Sequence, residues 1–324
     1  MPTHQPIFSI VLPVYNEARN IPTLLQRLTD TMNDLEPRYE LIFVDDGSVD
    51  GSVDILMQYR ADEPRIVVLK FSRNFGHHLA LSAGLDHAKG EFVVMMDADL
   101  QDQPEEIPRL YEALKQGYDV VYGRRRHKKF SWWRRTTASS FRWLMKHWVG
   151  FPVPGGVFRI ARRKVVDAVC SCRERHRMLV GLMSWVGFRQ SAIEVEHGHR
   201  LAGESKYDFR RQWRLALDTL TAFSVRPLRL AWWTGLLFSI SGLLSAVGVW
   251  AGWLFLNRHT PWWIALMCVG FFLGGVQLMA VGIVGEYLGR LFEEVQGRPL
   301  YILDDVERID VYGDESMSSE EEKQ

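Results

Sequence analysis

Residues 92–101 read Phe92-Val93-Val94-Met95-Met96-Asp97-Ala98-Asp99-Leu100-Gln101. Five apolar residues run straight into two carboxylates one position apart. An apolar run this short, with no polar alternation, suits a strand buried on both faces. Working outward, the same pattern recurs. Phe8–Leu12, Leu41–Val44, Ile66–Phe71 and Val120–Tyr122 read as strands. Ile21–Met32, Val53–Arg60, His77–His87 and Pro104–Gln116 read as helices between them. Short buried strands alternating with helices predict an α/β fold with a mainly parallel sheet covered on both faces. Such sheets bind ligands just beyond the carboxyl ends of their strands. Here those ends carry Pro13-Val14-Tyr15-Asn16-Glu17, Asp45-Asp46-Gly47-Ser48 and Asp97-Ala98-Asp99.

Three acidic clusters in one cleft would repel each other unless a cation joined them. Mg²⁺ takes oxygen ligands and is often held by one or two carboxylates plus substrate phosphates. Asp97 and Asp99 are the candidate ligands, and Gln101 adds a carbonyl oxygen. Two carboxylates at this spacing also occur in ordinary solvated turns; the neighbouring strand ends favour the ligand reading.

The chain has 324 residues and zero formal net charge, so no global basic field points to nucleic acid. Lys and Arg crowd 124–146 and 206–229, beside apolar segments, as an anionic lipid or phosphate partner requires. Three cysteines, Cys170, Cys172 and Cys268, fit neither a disulfide framework nor a metal spacing. Residues 1–17 show no charged segment followed by an apolar one, so no cleavable signal is expected there.

Two apolar runs, Trp232–Leu256 and Trp262–Gly285, each exceed the roughly 20 residues that span a hydrocarbon core. Trp232, Trp233, Trp262 and Trp263 sit at run ends, where an interfacial belt belongs. A hairpin of two transmembrane helices is expected, joined by Asn257–Pro261; the alternative is a buried helical hairpin of a soluble domain. Arg210, Arg211, Arg214, Arg226 and Arg229 precede the first run and Arg290 and Arg298 follow the second, against Arg258 alone in the link. The positive-inside bias then places the N-terminal domain and the tail in the cytoplasm, in the manner of a bacterial inner-membrane protein. Residues 131–149 and 210–225 read as amphipathic helices at the membrane interface, although a helix of the first pattern also suits packing on the domain core. Gly248 and Gly252, and Gly270 and Gly274, have the small-residue spacing through which helices of a homo-oligomer approach. The expected organisation is a catalytic domain over 1–207, a juxtamembrane helix over 208–229, a membrane hairpin over 230–289 and a cytoplasmic tail over 290–324, polar and disordered at its end.

VLPVYNE (11–17), VDDGS (44–48), RNFG (73–76) and MDADLQ (96–101) resemble, in order and spacing, the successive motifs of family 2 glycosyltransferases with the GT-A fold. RLAGESKY (200–207) and GEYLGRLFEEVQGRPL (285–300) resemble the branch that glycosylates polyprenyl phosphate. That branch includes dolichyl-phosphate mannose synthases and the undecaprenyl-phosphate glucosyl- and formamido-arabinose transferases. The resemblance implies inverting transfer of a sugar from a UDP- or GDP-linked donor to a polyprenyl phosphate, with Mg²⁺ or Mn²⁺. It assigns Pro13, Tyr15, Glu17, Asp45 and Asp46 to the nucleotide, Asp46 accepting from the base. It assigns Asp97, Asp99 and Gln101 to the metal, and Arg200, Ser205 and Lys206 to phosphate from a closing loop. It places Arg124 and Arg134 or Arg135 at the lipid phosphate. Arg suits these roles because its planar fork matches phosphate oxygens. His78 resembles the formamido-arabinose branch more than the glucosyl branch, and equally suits an ordinary helix start.

One position departs from the resemblance. Pro154-Gly155-Gly156-Val157-Phe158-Arg159 places Val157 where an Asp is expected. A phosphate monoester has its second pKa near 6 and reaches neutral pH mostly dianionic, so it needs little help from a base. Two rivals follow. A processive polysaccharide synthase would carry a Q-x-x-R-W box, which Arg211-Gln212-Trp213-Arg214 is not. A silent membrane scaffold of the same fold would explain Val157 but not the intact Asp97, Asp99 and Gln101 set.

Overall fold

The computed structural model describes residues 5–125, 156–175, 177–196, 198, scattered positions between 233 and 247, and 262–307. The chain divides into two units. The first comprises Met1–Trp143, Phe151–Lys206 and Pro299–Gln324; the second comprises Leu144–Gly150 and Tyr207–Arg298.

The first unit is built on β1 (Phe8–Val14), α1 (Ile21–Leu35), β2 (Tyr39–Asp45), α2 (Ser52–Asp62), β3 (Ile66–Phe71), α3 (His77–His87) and β4 (Phe92–Met95). A 3₁₀ turn (Pro104–Glu106) then leads into α4 (Ile107–Lys115) and β5 (Val120–Arg125). All seven residues of β1 and of β2 are buried, as predominantly apolar strands covered on both faces require; of their polar members, Ser9 and Glu40 are hydrogen-bonded to each other (2.6 Å). In α1 the buried residues are Ile21, Leu24, Leu25, Leu28 and Met32, one stripe at helical spacing with Pro22 in the first turn. These elements match the sequence expectation closely; β1, β2 and β5 run two or three residues further than their apolar cores.

The segment after residue 156 holds elements that the sequence reading does not anticipate. β6 (Arg159–Arg162), α5 (Arg163–Ser171), α6 (Leu179–Trp185) and β7 (Gln190–Val195) complete one half of the sheet. Leu303–Glu307, inside the expected tail, forms β8 and pairs antiparallel with β3. The eight strands run in the order β7-β5-β6-β4-β1-β2-β3-β8. β1 pairs in parallel with both β2 and β4, β2 with β3, and β5 with β7, while β6 and β8 are the antiparallel members. The chain winds outward from β1 through β2 to β3 and then returns to β4 on the other side. The switch point of the sheet therefore lies between β1 and β4, where an open α/β sheet takes its ligand.

In the second unit, α7 (Trp262–Val295) is 34 residues and so roughly 51 Å long. It runs ten residues past the expected end at Gly285 and carries the Glu286–Arg290 ion pair. Among the described residues it is the one helix long and apolar enough to cross a membrane, over Phe272–Val295. Leu266, Leu278 and Val281 present their side chains outward, 63–75% exposed. Most of the first expected span, Trp232–Leu256, lies outside the described residues; those within it, such as Trp233 and Gly235–Phe238, are helical. The Phe238 ring meets Phe272 edge-on at 4.5 Å. Both expected interfacial helices also lie outside the described residues.

Candidate active site

The parallel register brings the ligand loops together. Val14 is level with Asp45, and Val11 with Met95, so Tyr15–Glu17, Asp45–Ser48 and Met96–Gln101 leave the sheet at one edge. β6 runs the opposite way, and its first residue, Arg159, is level with Met95 and with Tyr122. The Gly156–Val157 turn and Arg124 therefore reach the same edge.

Each loop is shaped by its own polar side chains. Asn16 takes a left-handed φ of 57°, which asparagine tolerates better than most residues. Its N–H donates to Ser48 Oγ (2.9 Å), and its Oδ1 accepts from Val49 N–H (2.9 Å). Glu17 N–H donates to Ser52 Oγ (3.0 Å) and Ala18 N–H to Asp50 Oδ2 (3.0 Å). The β1 and β2 loops thus form one laced surface. Tyr15 stands on it half exposed, and Pro13 is buried inside β1.

Asp45 and Asp46 are both buried, and both are occupied with backbone. Asp45 accepts from the N–H of Gly47 (3.2 Å) and of Ser48 (3.1 Å). Gly47 has φ of 75°, and a Cβ there would lie 2.8 Å from Asn74 N, so this turn admits only glycine. Asp46 reaches across to the start of α3: its carboxylate accepts from Phe75 N–H (2.6 Å) and Gly76 N–H (3.0 Å). Burial holds its pKa above the ordinary carboxylate value, against the pull of those two donors. The sequence reading gives Asp46 to a base; the structure gives it first to the β3–α3 loop, with acceptor capacity to spare on a group of about four lone-pair sites.

After β4, Asp97 is partly exposed, and its N–H approaches Asp102 Oδ2 at 3.4 Å. Asp99 accepts from Gln101 twice, from the backbone N–H (3.0 Å) and from the side-chain Nε2 (2.6 Å). Between them Leu100, buried, is left-handed with φ of 61°. Sequence reasoning treats Gln101 as an oxygen donor to metal; here its amide nitrogen holds Asp99. Among the described residues no three His, Cys, Asp or Glu side chains converge to hold a metal ion by themselves. Two hard carboxylates in a cleft suit a cation that completes its shell from a ligand's phosphates.

Sequence reasoning passed over His77. It opens α3 with Nε2 3.4 Å from Asp97 Oδ1, and burial lowers its pKa against the field of Asp46 and Asp99. The available signal was its place directly after Arg73–Gly76. His78 lies against it ring edge to ring face, with its pKa pushed down to about 4 by burial. Arg159 was also missed. It is buried, donates to the carbonyls of Gly156 and Val157, and has its pKa pushed down to about 10 by burial. Val157 itself is buried. Arg124 is exposed at the end of β5, level with Glu194 of β7. Arg134, Arg135, Arg200, Ser205 and Lys206 lie outside the described residues.

A doubly wound sheet with carboxylate loops at its switch point defines the class: an α/β fold with its polar loops gathered at the carboxyl edge of the sheet, where such folds take their ligands. The sequence model described as glycosyl transferase family 2 matches residues 9–179. A Bacillus subtilis glycosyltransferase, YkcC, is 40% identical over 317 residues, covering 96% of this chain and 98% of its own. An undecaprenyl-phosphate 4-deoxy-4-formamido-L-arabinose transferase of Proteus mirabilis is 36% identical, covering 92% and 93%. A solved mannosyltransferase of Pyrobaculum calidifontis, in complex with GDP-Man and Mn²⁺, aligns with a TM-score of 0.48 and 17% identity over 92% of this chain and 89% of its own, too remote for residue comparison. The chain belongs to glycosyl transferase family 2 and is a glycosyltransferase.

Proposed function

We propose that this enzyme transfers a sugar, with inversion, from a UDP- or GDP-linked donor to a polyprenyl phosphate at the cytoplasmic face of a membrane. One observation carries the reading. The Asp97–Gln101 turn leaves the sheet at the same edge as the Glu17 and Asp45–Asp46 loops, beside the switch point, in a chain 36% identical over 92% of its length to an enzyme named for undecaprenyl phosphate. Tyr15, exposed at the end of β1, offers the donor's base a flat face; Pro13, Glu17, Asp45 and Asp46 shape the floor beneath it. Asp97 and Asp99, with Gln101 orienting Asp99, would hold Mg²⁺ or Mn²⁺ against the diphosphate. When bound, the cation neutralises charge on the leaving nucleoside diphosphate.

Arg124, with Arg134 or Arg135, would hold the acceptor phosphate, and Arg200, Ser205 and Lys206 the donor phosphates. The acceptor oxygen attacks the anomeric carbon from the face opposite the diphosphate. Val157 supplies no base there. The acceptor's second pKa near 6 makes one unnecessary at neutral pH, and positioning with charge neutralisation does the rest. The two membrane helices, 230–289, would keep the site beside the lipid, and the interfacial helices would seat it at headgroup level. Formamido-arabinose is the first sugar to test, given the named relative. A second reading, a silent scaffold, rests on the buried Val157.

The deciding experiment incubates the purified chain with a panel of UDP- and GDP-sugars, Mn²⁺ and short polyprenyl phosphates. One donor should give a lipid-linked product that the Asp99→Asn chain does not make. Donor binding without turnover across the panel would favour the scaffold.

A further inference from the structure

The turn that carries Asp99 is held from outside by a segment of the chain that the site has not yet used. Beyond β7, Glu196 N–H donates to Glu106 Oε1 (3.3 Å) and Gly198 N–H donates to the carbonyl of Gln101 (2.9 Å). Arg109, one helical turn past Glu106 and ion-paired with it, donates to the Glu194 carbonyl (3.2 Å). The approach at Gly198 is close: a Cβ there would lie 2.6 Å from the Leu100 carbonyl oxygen and 3.6 Å from that of Gln101. The first distance is shorter than real Cβ atoms tolerate, and the atom struck is backbone. Leu100 is the residue with the left-handed φ of 61°. A buried leucine keeps that conformation only where its surroundings over-determine it. Gly198 supplies part of that constraint.

We propose that Gly198 is a positioning residue for the metal-and-diphosphate end of the reaction. Gly198 fixes the Gln101 peptide, and the Gln101 N–H and Nε2 fix the Asp99 carboxylate. The carboxylate is thereby held in place before any ligand arrives, and that preorganisation favours a charged ligand in the cleft. Only a residue without a side chain fits this contact, which accounts for glycine here in structural terms. This inference rests on the reading of Asp97 and Asp99 as metal ligands.

The test is Mn²⁺ binding by the full chain in detergent, followed by electron paramagnetic resonance of free Mn²⁺, with UDP or GDP present. Gly198→Ala should weaken Mn²⁺ binding tenfold or more while the thermal midpoint and circular dichroism stay near wild type. Glu106→Ala, which removes the neighbouring anchor without adding a Cβ at 198, should weaken it in the same direction by a smaller factor. Asp99→Asn should weaken it most. A folded Gly198→Ala chain that binds Mn²⁺ as tightly as wild type overturns the proposal. Should that variant fail to fold, wild-type affinity in Glu106→Ala overturns it instead. If Asp99→Asn itself binds like wild type, the metal reading fails, which separates that failure from failure of the Gly198 contact.

Discussion

Asp46 and Asp99 carry the same carboxylate into one cleft and are prepared for different work. Asp46 is buried with two backbone donors and joins the β2 end to the loop that leads into α3. Asp46→Ala would strand the N–H groups of Phe75 and Gly76, a loss of about 1–3 kcal/mol. The thermal midpoint should fall by several degrees, at roughly 2–4 °C per kcal/mol for a domain of this size. Asp99, partly exposed and oriented by Gln101, is the proposed metal ligand. Asp99→Asn should leave the midpoint within about 2 °C of wild type. Turnover should drop by about a hundredfold or more, some 3 kcal/mol on the barrier, and excess chelator should abolish wild-type activity. Full activity in chelator would remove the metal role. His78 offers a pH test. Its folded pKa near 4 lies below the ordinary 6.5 because burial disfavours the cation. Between those values the unfolded chain binds the proton and the folded chain does not. Its contribution to stability is therefore present above about pH 6.5 and lost as the pH falls toward 4. Denaturant unfolding from pH 7.5 to 4.5 should show that loss in wild type and a shallower one in His78→Gln.

At the scale of elements, the half of the sheet with parallel neighbours was legible, because each strand there is a short, predominantly apolar run with turn residues after it. Ile66–Phe71 and His77–His87 were read to the residue. β6 was not legible, since Arg159-Ile160-Ala161-Arg162 begins and ends in arginine, and only tertiary context buries Arg159. β8 was not legible either. Leu303-Asp304-Asp305-Val306-Glu307 reads as an acidic linker, and it becomes a strand because β3 offers an open edge and Lys70 pairs with Asp304 at 2.7 Å. In the site, the carboxylates were visible from their strand-end positions. The role of Asp46 in holding backbone was not, because hydrogen-bond partners 29 or 30 residues away leave no spacing signal; Asp45 holds the N–H groups of Gly47 and Ser48, only two and three residues on. Tyr301 fastens the returning segment: its hydroxyl donates to Asp86 Oδ2 (2.8 Å), and its ring stacks on Phe71 with centroids 5.2 Å apart. Tyr301→Phe removes the hydrogen bond and keeps the stack. It should cost about 1 kcal/mol, a midpoint shift of roughly 2–4 °C in thermal unfolding. No shift would mean that the segment docks through strand pairing and stacking alone.

For the whole molecule, the proposed topology rests on charge and hydropathy: α7 carries an outward apolar surface, and the arginines flanking the two apolar runs motivate the proposed cytoplasmic placement of the catalytic domain. Cysteine labelling at 257–261 should succeed from outside intact cells and labelling at Ser318 should fail. The reverse result would leave the site facing away from the nucleotide-sugar pool. Val157 bears on the chemistry of the assembled enzyme. Val157→Asp puts a charge into a buried position beside an anionic acceptor, so turnover should fall or rise less than tenfold. A gain near a hundredfold, about 3 kcal/mol, would show that a base is needed. The most direct test of the central claim is the product itself. With the donor identified and Mn²⁺ supplied, the chain should convert undecaprenyl phosphate, but not undecaprenol, to a phosphodiester-linked sugar whose anomeric configuration, read by nuclear magnetic resonance, is opposite to that of the donor. Equal use of undecaprenol, a retained configuration, or release of free sugar without lipid product would contradict it.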